Sequence, residues 1–348
     1  MPIPDTTDPL APETWLLPAI HPVYARLICA ELRSRGFSEE QAVAGTRLDW
    51  AVLHGDNRFL SYEQLRRLSV HALALSGCPW LGLLVGRRSQ LSLHGAVGQA
   101  VAAAGSVGEA IAITQRFLAM RQRIVGLVVT PAPDLHMEAV VHLMAAEVRE
   151  FLLNYLIAAM LRLLEAVTGG DTRDDIRIEW PFPEPAWAAE YDCLPARNSF
   201  GHSALRVFLT PALLQRPSLA ADPEAMRLAL RECERQLSVQ QEGGSVTQRV
   251  QRRLASCQGE YPSLEQLAEQ EHMSMRTLMR RLGDEGTNYQ QLLDTVREEL
   301  ACWLLMQTPM PVEDIAARVG YGDTSNFSRT FRRWVGMTPR EFRAMVVV

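Results

Sequence analysis

The chain has 348 residues, more than one compact core usually holds, so two domains are the starting expectation. It is 47% hydrophobic and 22% charged, with a formal net charge of −5 in which all 35 basic residues are arginine. That balance excludes a low-complexity or fibrous chain and a general basic footprint for nucleic acid, and the lack of lysine excludes a lysine-dependent phosphate loop.

Residues 1–19, Pro-rich and acidic at their start, read as a disordered leader without the basic and apolar regions of a signal peptide, which points to a cytoplasmic protein. Residues 20–238 then show helical periodicity near 20–34, 61–76, 93–104, 106–120, 144–167 and 222–239. Alternating or β-branched runs near 123–130, 135–142, 175–180 and 204–209 read as strands, so this region is an α+β domain. Its most apolar stretch, Tyr155 to Leu161, is bounded by Asn154 and Arg162 and is far shorter than a membrane span. It reads as a buried core helix, and no membrane partner is expected. Six cysteines lie far apart without a C-x-x-C pair, and His136 and His142 match no zinc spacing. No metal and no cofactor are therefore expected.

Within this domain Arg121 and Arg123 flank a strand-like run and are candidate anchors for a carboxylate effector, although arginines on a half-exposed strand are commonly just solvated. Apolar segments around Leu83, Val97, Val101 and Phe151 are the candidate walls of a small-molecule cavity. Met226, Leu230, Cys233 and Leu237 recur with the 4-3 spacing of a coiled-coil seam, which predicts a homodimer; the competing reading is that this stripe packs onto its own domain. Residues 239–245, ending in Gly243, Gly244 and Ser245, read as a linker.

Residues 246–348 read as all-α and hold 13 arginines against 13 acids, so placement rather than net charge decides what the arginines do. Ser263 with Gln266 forms a capping-box pattern ahead of Leu264, Leu267 and Ala268. After a break at Glu271–Met273, Ser274 caps a second helix. At 100° per residue its Leu278, Leu282, Met275 and Met279 fall on one side, and Arg276, Thr277, Arg280 and Arg281 on the other. The arrangement then recurs. Pro311 opens a helix through Ile315, Ala316 and Val319, Gly320 stops it, and Asp323 caps Thr324 to Trp334. Phe327, Phe331 and Trp334 form the core face of that helix, and Ser325, Ser328, Arg329 and Arg332 lie opposite. Ala268 and Ala316 are 48 residues apart and Leu278 and Phe327 are 49 apart, so the two units repeat nearly in register. Between them Leu292, Val296, Leu300 and Leu304 stripe a helix over Tyr289–Gln307, a rod of about 28 Å. Two helix-turn-helix units joined by a long helix suit the reading of double-stranded DNA in successive major grooves.

The run Ile315 to Trp334, continued by Gly336-Met-Thr-Pro-Arg-Glu-Phe-Arg343, together with Met273 to Gly286, resembles the C-terminal DNA-binding domain of the AraC/XylS family of bacterial transcription regulators. More loosely, Gly77 to Leu83, Phe200 to Leu205 and Leu213 to Leu219 resemble the arabinose-binding-type N-terminal domain of one branch of that family. The resemblance implies DNA contacts from Arg276, Thr277 and Arg280 and from Thr324, Ser325, Ser328 and Arg329. It also implies an N-terminal regulatory domain for effector binding or oligomerisation, and activation as the outcome, with RNA polymerase as a further partner. The alternatives left open are a ligand-independent regulator whose N-terminal domain only dimerises and a purely architectural DNA-binding protein. An enzyme is not expected, because Gly201-His-Ser-Ala-Leu205 lacks the last glycine of a nucleophile elbow and no cysteine has a neighbouring histidine.

Overall fold

The computed structural model describes residues 19–46, 48–50, 53, 59–123, 125–130, 136–141, 146–241, 245–257 and 259–346. The expected leader lies outside the described residues except for Ala19, which is buried and donates its N–H to the Leu60 carbonyl at 2.9 Å. The chain divides into two compact units, one of residues 19–60 and 64–241 and the other of residues 242–348 together with Ser61–Glu63.

The first unit runs α1 (Val23–Ser34), α2 (Glu39–Val43), α3 (Tyr62–Ser76), α4 (Leu81–Arg87), α5 (Gly95–Ala102), α6 (Val107–Phe117), β1 (Val125–Thr130), β2 (His136–Val141), α7 (Arg149–Thr168), β3 (Ile176–Glu179), β4 (Arg197–Ser199), β5 (Arg206–Leu209), α8 (Pro211–Gln215) and α9 (Pro223–Gln241). The strands form one sheet in the order β1-β2-β5-β3-β4, antiparallel except for the parallel β3–β4 pair. The expected α+β character holds, and each expected strand is present. The centre of the unit is α7, which buries Phe151, Leu153, Ile157, Leu161 and Leu164. This helix is long and apolar enough to cross a membrane, but most of its surface is enclosed by its own unit, as a core helix requires. Helix α4 packs along α7 at unusually close range. A Cβ on Gly82 would stand 2.3 Å from the Phe151 carbonyl oxygen, and one on Gly86 2.6 Å from the Tyr155 carbonyl oxygen. Only glycine permits that approach.

The stripe expected as a dimer seam packs inward within the single chain. Cys233 is fully buried in the core of this unit, and Met226, Leu230 and Leu237 are half-buried against the same core. Helix α9 lies against α5, so its 4-3 stripe satisfies the hydrophobic demand inside one chain. The side of α9 turned to solvent carries Leu228 and Val239. The linker boundary also shifts: α9 continues through Gln241, residues 242–244 lie outside the described residues, and Ser245 already caps the next helix.

The second unit is all-helical: α10 (Val246–Ala255), α11 (Leu264–Gln270), α12 (Met275–Asp284), α13 (Tyr289–Gln307), α14 (Val312–Arg318), α15 (Thr324–Val335) and α16 (Pro339–Val346). The stripe Leu292, Val296, Leu300 and Leu304 of α13 is buried, making this helix the spine on which α10, α14 and α16 pack. Glu285 accepts from the N–H groups of Val246 (3.2 Å) and Thr247 (2.9 Å), satisfying otherwise orphaned donors at the start of α10. Glu271, almost fully enclosed, accepts from Arg249 Nε at 2.6 Å and Arg253 Nε at 3.0 Å and ties α10 to the end of α11.

Candidate nucleic-acid interface and effector cavity

Two helix pairs, α11–α12 and α14–α15, are built by the same local chemistry. At the first, the Ser263 hydroxyl accepts from the Gln266 N–H at 3.2 Å while Gln266 Oε1 accepts from the Ser263 N–H at 2.8 Å. The Ser274 hydroxyl then accepts from the Thr277 N–H at 3.2 Å and starts α12. At the second, the Asp323 carboxylate accepts from the Ser325 and Asn326 N–H groups at 3.2 and 2.9 Å and starts α15.

The turns between the paired helices match bond for bond. In the first, the His272 N–H donates to the Glu269 carbonyl (3.0 Å) and the Met273 N–H to that of Ala268 (2.9 Å). In the second, the Gly320 N–H donates to Ala317 (3.0 Å) and the Tyr321 N–H to Ala316 (2.8 Å). The second bond of each turn reaches back five residues, as in the left-handed helix stop. His272 at φ 53° and Gly320 at φ 81° occupy the left-handed position. His272 is the only described non-glycine residue with positive φ.

The buried side of each second helix is narrow. Leu278 and Leu282 anchor α12, and Phe327 and Phe331 anchor α15 within an aromatic cluster that includes Tyr321, Trp334 and Phe342, with ring centroids 5.6–6.1 Å apart. Met275 and Met279, expected on the core side of α12, are instead 45% and 52% exposed. A ten-residue helix held by two leucines leaves its flanks in solvent.

The opposite faces carry the predicted contact residues. Arg276, Arg280 and Arg281 are exposed on α12, and Ser325, Arg329 and Arg332 on α15; Thr277, Thr324 and Ser328 are half-buried at the edges. Arg276, Arg280, Arg281 and Arg329 have no carboxylate within ion-pair distance among the described residues, whereas Arg249 and Arg253 share Glu271 and Arg333 pairs with Asp294 at 3.8 Å. Arg332 lies in the field of Glu341, whose carboxyl is held below its ordinary range first by hydrogen bonds from Thr338 and lastly by Arg332. The neutral overall balance of the segment thus hides a division: Glu271 and Asp294 take up Arg249, Arg253 and Arg333, while Arg276, Arg280, Arg281 and Arg329 keep their charge turned outward.

A separate feature occupies the N-terminal unit. A cavity of about 180 Å³ lies among α5, α6, α7 and the sheet, walled mainly by apolar side chains such as Val97, Val101, Leu153, Leu156, Ile157 and Leu164. Arg121 lines it and Arg123 does not; Arg123 is exposed. Of the four expected wall positions, Val97 and Val101 face the cavity, while Leu83 and Phe151 are packed elsewhere in the interior. Sequence reasoning missed Tyr24 and His94, which join Arg121 from α1 and from the turn before α5. Neither carries a sequence signal, since lone aromatic and histidine residues are routine in cores.

Comparison with known proteins agrees with this geometry. Residues 36–218 match the arabinose-binding domain of AraC transcription regulators, N-terminal part, and residues 267–345 match a helix-turn-helix domain. The chain belongs to the AraC family of transcription regulators. It is 31% identical to the ornithine utilization regulator of Pseudomonas aeruginosa, over 92% of this chain and 95% of that one. It is 28% identical to the transcriptional regulator VqsM of the same organism, over 75% and 83% of the respective chains. Over a shorter stretch, 23% of this chain and 29% of its relative, it is 41% identical to the transcriptional activator RhaS of Klebsiella pneumoniae. This AraC-family chain is therefore a DNA-binding transcription regulator with an arabinose-binding-type N-terminal domain, related to regulators rather than to enzymes.

Proposed function

We propose that this regulator reads one DNA site through two helix-turn-helix units, with α12 and α15 entering successive major grooves on one face of the duplex. Arg280 and Arg329 contact base edges, Arg276, Arg281 and Arg332 contact phosphates or groove edges, and Thr277, Thr324, Ser325 and Ser328 complete the two surfaces. The observation that carries this reading is the pair of matched turns, each followed by a helix that presents arginines without an acidic partner among the described residues, Arg276, Arg280 and Arg281 on α12 and Arg329 on α15. A helix built only to be solvated has no need to repeat such a turn 48 residues later.

The remaining parts of the proposal are functional. The protein activates transcription in the cytoplasm, as its likeness to an activator supports, and RNA polymerase is then its protein partner. The apolar cavity supports control by a small-molecule effector over the reading in which the N-terminal domain only dimerises. Homodimerisation stays in the proposal, but on the solvent side of α9 around Leu228 and Val239 rather than along the buried stripe. Residues 246–348 would then carry DNA binding and residues 20–238 its regulation.

Gel-shift titration tests the reading. Arg280→Ala and Arg329→Ala should each weaken specific binding by about 1–3 kcal/mol, and affinity should fall steeply with salt as phosphate contacts release counterions. Unchanged affinity in both variants, with helical content intact, overturns it.

A further inference from the structure

Arg121 is a cation whose counter-ion is missing. Its Nη2 donates to the Leu93 carbonyl at 3.0 Å and approaches His21 Nδ1 at 3.2 Å. Its Nε is buried and makes no hydrogen bond, and no carboxylate pairs with it among the described residues. Among the described residues, none that lines the cavity with Arg121 is Asp or Glu. Arg121 is half-buried, and a charge partly withdrawn from water is costly unless something pairs with it; here no described acid supplies the partner.

The neighbouring polar groups suit an anion as well. His94 is 8% exposed, and its Nε2 is buried without a partner. The Tyr24 ring lies near that imidazole, tilted by 59° with centroids 6.2 Å apart, and also lines the cavity. Burial, aided by the Arg121 charge, pushes the His94 pKa down to about 4, so the imidazole is neutral near pH 7 and brings no charge of its own. The other polar wall groups are occupied: the Thr114 hydroxyl donates to the Ala110 carbonyl and the Tyr155 hydroxyl to that of Tyr24. The polar capacity of the cavity is thus gathered at one end, and the rest of the wall is hydrocarbon.

We propose that the cavity binds an apolar monocarboxylic acid, its carboxylate on Arg121, His94 and Tyr24 and its hydrocarbon body between α5, α6 and α7. The proposal rests on the effector reading above and names the ligand class. A cavity of about 150 Å³ holds benzene, so about 180 Å³ suits a body of about six to eight carbon atoms. Amines and sugars are disfavoured, the first by the cation and the second by walls that leave most hydroxyls without partners.

Calorimetric titration of the full-length protein with octanoate, octan-1-ol and octylamine tests this, and a benzoate arm distinguishes a chain from a ring. Octanoate should bind about tenfold to a hundredfold more tightly than octan-1-ol, the difference a charge-assisted hydrogen bond makes, and octylamine should not bind. Arg121→Met should reduce octanoate to the octan-1-ol level while leaving octan-1-ol unchanged, which also shows that the cavity survives the substitution. Octan-1-ol binding the wild type as tightly as octanoate does, Arg121→Met retaining full octanoate affinity, or no binding of either acid overturns the proposal. Gel shifts with each compound separate the two claims. Arg121-dependent octanoate binding that leaves DNA affinity unchanged supports the ligand class and removes effector control, whereas an alcohol that alters DNA affinity when no acid binds does the reverse.

Discussion

The left-handed position in the two turns gives opposite predictions for two single substitutions. Gly320 has φ 81°, and a Cβ there would stand 2.6 Å from the Gly259 carbonyl oxygen and 3.1 Å from an Arg297 guanidinium nitrogen. Gly320→Ala therefore costs about 1–2 kcal/mol for the left-handed backbone, offset by a few tenths gained from the stiffer unfolded chain. A carbonyl contact that backbone movement must relieve adds about 1–2 kcal/mol on the scale of overpacked sites. The sum, about 2–3 kcal/mol, lowers the melting temperature of a unit of this size by about 10–20 °C. His272→Gly removes the same backbone strain at φ 53° but loosens the unfolded chain, for a net gain of about 0.5 kcal/mol. Differential scanning calorimetry of the full-length variants, following the transition of the C-terminal unit, measures both. Equal destabilisation by the two substitutions, or a Gly320→Ala protein as stable as wild type, refutes the equivalence of the turns.

Glu271 predicts acid sensitivity in the same unit. Burial pushes its pKa up, but the hydrogen bonds from Arg249 and Arg253 outweigh this and hold it below the ordinary 4.5. Its stabilisation is therefore complete above pH 4.5 and lost as pH falls through the folded value. Glu271→Gln should flatten that part of the stability profile and lower stability at neutral pH, as urea unfolding at stepped pH would show; an unchanged profile contradicts the pairing. On α9, Leu230→Glu should destabilise the N-terminal unit by about 2 kcal/mol, because it drives a charge into the core. Leu228→Glu should fold normally and shift sedimentation toward the monomer, and a Leu228→Glu protein that remains dimeric moves the interface elsewhere.

What was legible in the sequence follows the range of the forces involved. Ser263, Gln266, Ser274 and Asp323 act on backbone groups two or three residues away, so their caps were readable and stand as expected. The internal repeat was readable because two equal spacings are hard to obtain by chance. Helix α4 was not: Gly82 and Gly86 oppose helix formation locally and are present because α7 lies against them. Strand β4, Arg197–Ser199, has too few residues to show alternation and exists through pairing with β3. The α9 stripe was legible as apolar but not as to what covers it, since a coiled-coil partner and the helix's own domain demand the same 4-3 spacing. For the cavity, one arginine was found; its companions Tyr24 and His94 come from distant segments that only the fold assembles.

The central claim is that one chain reads DNA with two separate helices, and hydroxyl-radical footprinting of the full-length protein on its upstream intergenic DNA addresses it most directly. The account predicts two protected segments about one helical turn, about 34 Å, apart on one face of the duplex. Arg280→Ala should weaken protection and base preference in one segment only, and Arg329→Ala in the other only. A single protected segment, or both variants losing the same one, contradicts the account.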